Sequence, residues 1–600
     1  MPYIPSNQDP PYKAIAARKK SHQLSLIPPE WRLPASLLST PPLSALSVPN
    51  SSKILTPLDL EITSRHDATS LAAALRSRTY TAVAVTTAFC KRAAIAHQLT
   101  NCLTEIFFSD ALARAKYLDS ELARTGSTVG PLHGVPVSLK DTFKVKGYDA
   151  SIGIASLAER PATEDALLVK ILLEQGAVLY CKTNIPQTLM ALDSDNNVFG
   201  RVINPRNRLV TAGGSSGGEG ALVAMRGSVL GVGTDVGGSI RIPAMCNGVY
   251  GIKPSAARVP YVGQENGTRP GSGQISLLAS AGPIAVSLRD CELFLETIAG
   301  ARAWERDPGV VYGKWDEQGS VGEKPLLGVL RRDGVTEPLP PITKVLDETV
   351  GMLRDAGIEV IEIDSPAFSK CQSLTNKFFG IDGGNHMFDL LENTGEPLTT
   401  WLSTRLRRGT QAPLERLVQL HAQKAALATE MLKIWTDPKT GRRIDALICP
   451  VAPHPVPPID RWNGVGYTSS FVLLDYPAGT LPVREFREED LQDEWVGDKA
   501  KPLGSWDKAN KTLCMFFLFG SKFIVLFLAL EFGFEFAILL TCFDFDIGDK
   551  NTIDRRVYLN TLLSVQVVAP KLQERRLCQA MKIIDDILRA KREGPPHARL

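Results

Sequence analysis

The spacing of hydrophobic residues divides the chain into a helical part and a part that mixes strands with helices. From Asp67 to about residue 124, apolar residues recur at every third or fourth position, which is the period of a helix with one buried face. After Gly130, short apolar runs such as 135–139 and 177–181 alternate with helical stretches such as 164–176. This alternation predicts an α/β fold with a largely buried mixed sheet.

Composition along the chain sets the predicted domain boundaries. Residues 1–58 are rich in proline and serine, which predicts an extended N-terminal arm with at most one short helix, around Tyr12–Gln23. A second α/β stretch runs from about 325 to 450. We therefore assign 59–600 to one large domain whose core lies at about 130–260.

The window 514–545 differs sharply from the rest of the chain, because it holds ten of the 22 phenylalanines. A membrane span needs about 20 nearly uncharged residues. Lys522, Glu531 and Glu535 interrupt this window, and each charge near the centre of a span costs about 2.5–3.5 kcal/mol. A membrane span is therefore the weaker interpretation of this window. A buried or interfacial hairpin, a membrane-docking element and sequence that is not native to the protein are the others.

Composition and charge narrow the class of protein. Of the 600 residues, 44% are hydrophobic and 22% are charged, which is typical of globular proteins and argues against a disordered or fibrous chain. A net charge of +3 indicates no nucleic-acid partner. The ten cysteines are scattered without a CxxC pair, and no secretory signal is visible, which together favour a reducing, cytoplasmic location.

The most glycine-dense segment, 211–244, carries candidate chemistry. Glycine lets backbone N–H groups approach a ligand closely, and consecutive N–H groups can form an anion-binding concavity. The run VGGS at 236–239 would aim several donors at one developing oxyanion, with Ser239 at its end. Such donors are worth about 3–4 kcal/mol each in acyl transfer. A helix is predicted to begin just after Gly220, where its positive end favours nearby negative charge.

The segment GGSSG at 213–217 also matches the G-x-S-x-G elbow of α/β-hydrolases. That elbow requires an apolar strand before it and a suitably placed histidine after it. The preceding residues form a polar loop, and His386, His421 and His454 have no convincing setting. The elbow is therefore the weaker interpretation.

Lys140 stands at the end of the apolar run 135–139. Burial would remove the hydration of its ammonium and lower its pKa. A pKa lowered from about 10.4 towards 7–8 would give a neutral amine that can accept a proton. Taken alone, a lysine at a strand end is more often a solvated edge residue, so the catalytic interpretation needs support from other residues.

Taken jointly, these residues resemble the amidase signature family, most closely its fungal acetamidase and general amidase branch. The family's pattern of glycines and serines, closing in Ser-x-Arg-x-Pro, is matched at every position of 213–244. Similar segments extend the resemblance over nearly the whole chain from about residue 60, with one gap. The resemblance implies a single large fold with a central mixed β-sheet covered by helices on both faces, and no cofactor or metal.

The resemblance also implies a Ser-cisSer-Lys triad of Ser239, Ser215 and Lys140. Ser239 would attack the amide carbonyl, while Ser215, held in a cis peptide, would pass the proton to a neutral Lys140. Lys140 would later return it to the leaving ammonia or amine, and water would hydrolyse the acyl-enzyme. This is nucleophilic catalysis without a histidine.

Supporting roles follow from the same resemblance. Backbone N–H groups that hold the oxyanion are implied at Val236, Gly237, Gly238 and Ser239. Leu189, with Ser215, is expected beside the substrate. Asp235 and Arg241 are expected to pair and brace the loop, and Ser216 either orients the loop or caps the following helix.

We therefore expect hydrolysis of a linear monocarboxylic acid amide to carboxylate and ammonia or amine. The expected partner is a small-molecule amide, and a homodimer is left open. One alternative is a membrane-associated fatty-amide hydrolase that docks through 514–545. Another is a catalytically impaired family member or binding subunit whose C-terminal part is disrupted by the Phe-rich segment.

Residues from about 514 to 557 are hypothesised to be a translated intron or another gene-model error. Family members run from a polar loop, here 504–513, fairly directly into the strand at 563–571. Sequencing of the mature transcript is expected to yield reads that join these two segments. Continuous coding reads through Phe516–Asp554 would reject the hypothesis.

Overall fold

The computed structural model describes residues 9–269, 271–364, 367–461, 464–493, 501–514 and 553–593. Residues 515–552 lie outside these ranges. The membrane-docking, hairpin and gene-model interpretations of the Phe-rich segment therefore fall outside the described residues.

Within the described ranges, eleven strands form one sheet: β1 Leu103–Ile106, β2 Pro136–Lys140, β3 Val178–Thr183, β4 Leu230–Asp235, β5 Tyr250–Lys253, β6 Ser280–Ala285, β7 Leu326–Val329, β8 Glu359–Glu362, β9 Ala446–Pro450, β10 Ala478–Glu485 and β11 Leu562–Val568. Their order is β1-β3-β2-β4-β6-β5-β10-β11-β9-β7-β8. β2 runs parallel to β3 and β4, whereas β4 pairs antiparallel with β6. The predicted mixed sheet is confirmed.

The α-helices of the described residues are α1 Pro11–Ser25, α2 Ala35–Ser39, α3 Val48–Ser51, α4 Pro57–Arg65, α5 Ala68–Arg76, α6 Ala82–Thr100, α7 Phe108–Thr125, α8 Leu167–Glu174, α9 Gly217–Ala224, α10 Arg241–Asn247, α11 Leu288–Gly300, α12 Pro340–Asp355, α13 Phe368–Phe379, α14 Asn385–Glu392, α15 Thr400–Ser403, α16 Leu414–Met431, α17 Gly466–Leu473, α18 Ser505–Lys511 and α19 Glu574–Glu593. Each helix in these ranges falls short of the length or apolarity that crossing a bilayer requires.

The central strands are buried on both faces. Every residue of β2, β3 and β4 is buried, whichever side of the sheet its side chain faces. A strand buried in this way has helices on both sides, which explains why apolar residues and glycine predominate in these segments. The predicted α/β fold with helices on both faces is confirmed.

The N-terminal segment covers an edge of the sheet. The prediction of at most one short helix in this segment is wrong, because it contains the 15-residue helix α1 and the short helices α2 and α3. Gln23 of α1 donates its side-chain amide to the carbonyls of Leu103 and Thr104, at 2.9 and 2.8 Å, on the edge strand β1. Lys19 of α1 pairs with Glu105 and with Asp149, the latter at 2.8 Å. The two Gln23 bonds occupy backbone carbonyls that an open sheet edge would leave free.

We expect Lys19→Met to lower the free energy of unfolding by about 3–5 kcal/mol, because two buried carboxylates would lose their cation. Urea unfolding of the full chain measures this. Arg18→Met is the control, since its ion pair with Glu159 is exposed and such pairs contribute under about 1 kcal/mol. Equal losses in both variants would contradict the prediction.

Candidate active site

The loop before α9 brings Ser215 to the end of β2. The Gly214–Ser215 peptide bond is cis, and Ser215 Oγ lies 2.7 Å from Lys140 Nζ. Helix α9 begins at Gly217, earlier than the sequence predicted, and Ser216 does not cap it through its side chain. Instead Ser216 Oγ lies 3.4 Å from both the backbone O and N of Thr234, so it orients the loop against β4.

Lys140 is the last residue of β2 and is fully buried. Besides Ser215, its Nζ meets Thr234 Oγ1 at 2.8 Å and Thr234 O at 3.5 Å. Burial lowers the pKa of Lys140 to about 7, although the charges of Asp235 and Glu219 act in the opposite direction. A neutral amine has two hydrogens and one lone pair, so it can donate to Thr234 and still accept a proton from Ser215.

Sequence reasoning missed Thr234 and Glu219. Thr234 lies on β4, which runs parallel to β2 and carries Thr234 alongside Lys140. Glu219 is buried on α9. The available signals were a polar residue at the end of an apolar strand and one carboxyl in a helix otherwise made of small and apolar residues.

Asp235 and Arg241 brace the turn between β4 and α10. Arg241 donates through Nε and Nη2 to the Asp235 carboxylate at 3.0 and 2.9 Å, and both side chains are buried. The same carboxylate accepts the N–H groups of Gly238, at 2.7 Å, and Ile240, at 3.1 Å. Arg241 Nη1 also donates to Gln566 Oε1 on β11 at 2.7 Å. The expected pairing is present, and it fixes the loop that carries Ser239.

The structure changes the role predicted for Gly238. Its N–H donates to Asp235, so it is not a free donor for an oxyanion. Its φ of +135° and the closeness of Thr468, whose Oγ1 would lie 2.5 Å from an added Cβ, explain instead why glycine stands there.

Three other predicted donors remain available. Among the described residues, nothing accepts the N–H groups of Val236, Gly237 and Ser239 or contacts the Ser239 hydroxyl within hydrogen-bond distance. Ser239 is 5% exposed. The loop therefore holds one hydroxyl and three backbone donors without a partner among the described residues, and their role as oxyanion donors stays a prediction.

Leu189 lies in a short 3-10 helix with φ +64°. It packs against a small apolar cluster formed by Ile152, Ile154, Ile185 and Leu391. The following residues run against the Ser215 loop, since a Cβ on Gly214 would lie 2.6 Å from the carbonyl of Ala191. The stretch that follows Leu189 therefore lies against the loop that holds Ser215, and the position of Leu189 beside the substrate stays a prediction.

Comparison with known proteins adds independent information. The family model described as "Amidase" matches residues 84–578. The chain is 38% identical over 485 residues to an acetamidase of Emericella nidulans, covering 79% of this chain and 87% of that protein. It is 37% identical over 508 residues to an acetamidase of Aspergillus oryzae, covering 83% and 91%. Among solved structures, a fatty acid amide hydrolase superposes with a TM-score of 0.82 at 28% identity, covering 96% of this chain and 95% of that one.

We expect Gly238→Ala to destabilise the fold by about 1–3 kcal/mol, because alanine is strained at this φ and its Cβ would collide with Thr468. Thermal unfolding measures the loss. Gly237→Ala is the matched control, since its added Cβ would meet only Phe379 at an ordinary 3.5 Å. Destabilisation of the control by as much as Gly238→Ala would contradict this explanation.

Proposed function

The chain belongs to the amidase family and is an amide-hydrolysing enzyme, and from this premise we propose that Lys140, Ser215 and Ser239 form its catalytic triad. The observation that carries the proposal is the 2.7 Å contact between Lys140 Nζ and Ser215 Oγ. It is supported by burial, which lowers the pKa of Lys140 to about 7. A lysine in this state can act as a base at neutral pH.

In the proposed reaction, Ser239 Oγ attacks the carbonyl carbon of the amide. Its proton passes to Ser215 Oγ, and the Ser215 proton passes to Lys140 Nζ. The second contact is formed in the structure, whereas Ser239 Oγ and Ser215 Oγ are not within hydrogen-bond distance and have to approach each other when the substrate binds. The negative oxygen of the tetrahedral intermediate accepts hydrogen bonds from the N–H groups of Val236, Gly237 and Ser239. These donors are fixed in advance because Asp235 holds Gly238 and Ile240 in place.

Collapse of the intermediate breaks the C–N bond. The proton held on Lys140 returns through Ser215 to the leaving nitrogen, which departs as ammonia or an amine. A water molecule then attacks the ester on Ser239 and gives a proton to the same relay. The bond between the acyl carbon and Ser239 Oγ breaks, the relay returns the proton to Ser239 Oγ, and the acid product loses a proton to solvent and leaves as the carboxylate. No further group is required for proton balance.

We propose linear monocarboxylic acid amides of small or medium size as substrates. The side chain of Phe379 lies near Gly237, and the stretch beside Ser215 begins in an apolar cluster with Leu189. These surroundings suit an uncharged acyl group. The similarity to relatives named acetamidases supports short acyl chains, whereas the similarity to a fatty acid amide hydrolase supports long-chain amides as the alternative.

We also propose a cytoplasmic location, which the eight free and buried cysteines of the described residues support. A homodimer and a membrane-docking role for 514–545 stay as hypotheses. Size-exclusion chromatography with light scattering, and sedimentation with vesicles, test them separately.

We expect kcat/KM to fall as the pH decreases through about 7, because protonation of Lys140 removes the base. Lys140→Ala is expected to lower kcat/KM by at least about 10²–10⁴-fold and to abolish this pH dependence. Lys144→Ala is the control, since that lysine is on the same segment but 40% exposed. Retention of most activity by Lys140→Ala would mean that the base is a different group.

Ser239→Ala is expected to abolish labelling by a fluorophosphonate probe, because the nucleophilic oxygen is absent. Ser215→Ala should still be labelled, but much more slowly, since its relay is broken while Ser239 is intact. Mass spectrometry of the labelled peptide gives the modified residue. A label on Ser215 instead of Ser239 would reverse the two assignments.

A panel of primary amides with acyl chains of two to about eighteen carbons, assayed by ammonia release, tests the substrate class. We expect kcat/KM to be highest for the short and medium chains. A maximum at long chains would favour the fatty-amide alternative.

A further inference from the structure

Glu219 is a buried carboxyl beside the site that the proposed mechanism does not use. It lies on α9 and is 0% exposed. Its Oε2 lies 2.6 Å from Ser138 Oγ, and its Oε1 accepts a hydrogen bond from Thr183 Oγ1 at 2.9 Å. Gly231 on β4 leaves room for it, since a Cβ there would overlap Oε2. The carboxyl therefore occupies a slot built from β2, β3 and β4.

This carboxyl forms no ion pair within the described part of the chain; its partners there are hydroxyl groups. The cation whose charge acts on it is Lys140, which bonds Ser215 and Thr234 instead. An ionised carboxylate buried without a bonded cation is costly, so burial favours the neutral acid. In agreement, burial raises the pKa of Glu219 to about 8.

The surrounding hydroxyl groups provide a hydrogen-bond acceptor for the proton of a neutral Glu219. A proton on Oε2 would be donated to Ser138 Oγ. Ser138 Oγ lies 3.0 Å from Ser228 Oγ, and Ser228 Oγ donates to the carbonyl of Leu230 at 3.0 Å. Each hydrogen along this chain has an acceptor, and the chain ends on a group that only accepts.

Three other titratable side chains interact electrostatically with Glu219, and none of them changes its charge near neutral pH. Burial raises the pKa of Tyr180 and Cys181 on β3 well above their ordinary values, and raises that of Cys102 to about 12. All three are therefore uncharged at neutral pH.

The charged groups on the remaining elements around α9 are already bonded. Arg92 on α6 donates to the carbonyl of Met225, just beyond the end of α9. Arg241 on α10 is paired with Asp235 at the end of β4. Lys140 and Glu219 are thus the two neighbouring groups whose protonation states can influence each other.

We propose that Glu219 stands as a neutral carboxylic acid in the resting enzyme and that this neutrality lets Lys140 stand as a free amine. The inference rests on the proposed function of Lys140 as the base. An ionised Glu219 would add to the effect of the ionised Asp235 and raise the pKa of Lys140, so that less of the free amine would be present at neutral pH to accept a proton from Ser215. Glu219 acts through Lys140 and is a positioning residue.

Glu219→Gln tests this, because glutamine keeps the shape and the neutrality of a protonated glutamate. In this variant we expect kcat/KM to fall at low pH with the same midpoint pH as in the wild type; this fall is called the acid limb below. We also expect infrared difference spectra at neutral pH to lose the C=O stretch of one protonated carboxylic acid. A midpoint lower by about one pH unit or more would overturn the inference, because it would mean that a negative charge near Lys140 had been removed. An unchanged infrared spectrum would overturn it as well.

Glu396→Gln is the matched control. Glu396 is also buried, at 5% exposure, and its bonds are to the N–H of Ala155 and the side chains of Gln187 and Asn197. It therefore reports the general effect of replacing a buried glutamate. If Glu219→Gln does not fold, neutron diffraction from wild-type crystals gives the same test. A deuteron bound to the Glu219 carboxyl is expected, and a bare carboxylate would overturn the inference.

Lys140→Ala separates this inference from the proposed function. If the acid limb persists in Lys140→Ala, the proposed base is wrong, whatever Glu219 shows. If the limb disappears in Lys140→Ala but shifts in Glu219→Gln, the base is right and only the inference about Glu219 fails.

Discussion

The complete burial of one amine among hydroxyl groups is the constraint on which the rest of the site depends. Lys140 ends a strand that helices cover on both faces, and its nitrogen meets Ser215 and Thr234 instead of a carboxylate. An ammonium in that position has lost its water and gains no bonded anion, so the neutral form is favoured. The same burial that stabilises the sheet therefore also sets the chemistry of its central lysine.

Asp235 and Glu219 are two buried carboxyl groups whose charges act on this amine, and they differ in their bonding partners. Asp235 is ionised, since Arg241 and two backbone N–H groups hold its pKa below the ordinary value despite burial. Glu219 has hydroxyl partners, and burial raises its pKa. The Asp235 carboxylate thus fixes a loop, whereas the Glu219 carboxyl has no ion pair among the described residues.

The brace around Asp235 also joins distant parts of the chain. Arg241 reaches Gln566 on β11, and Gln566 in turn donates to the carbonyl of Tyr467 at 3.0 Å. β11 lies between β10 and β9 in the sheet and follows the Phe-rich segment in sequence. The loop that carries Ser239 therefore depends on a strand more than 300 residues away in the chain.

The sequence by itself determined the fold class, the strand that ends at Lys140, and the glycine-rich segment that carries Ser215 and Ser239. These features are local, because buried strands need continuous apolar runs and a nest of N–H groups needs glycine. The positions of Thr234 and Glu219 beside Lys140, the use of the Gly238 N–H by Asp235, and the covering of the sheet edge by α1 were decided only by the tertiary structure. They depend on which strands become neighbours and on which donors are already occupied, and spacing along one chain does not contain that information.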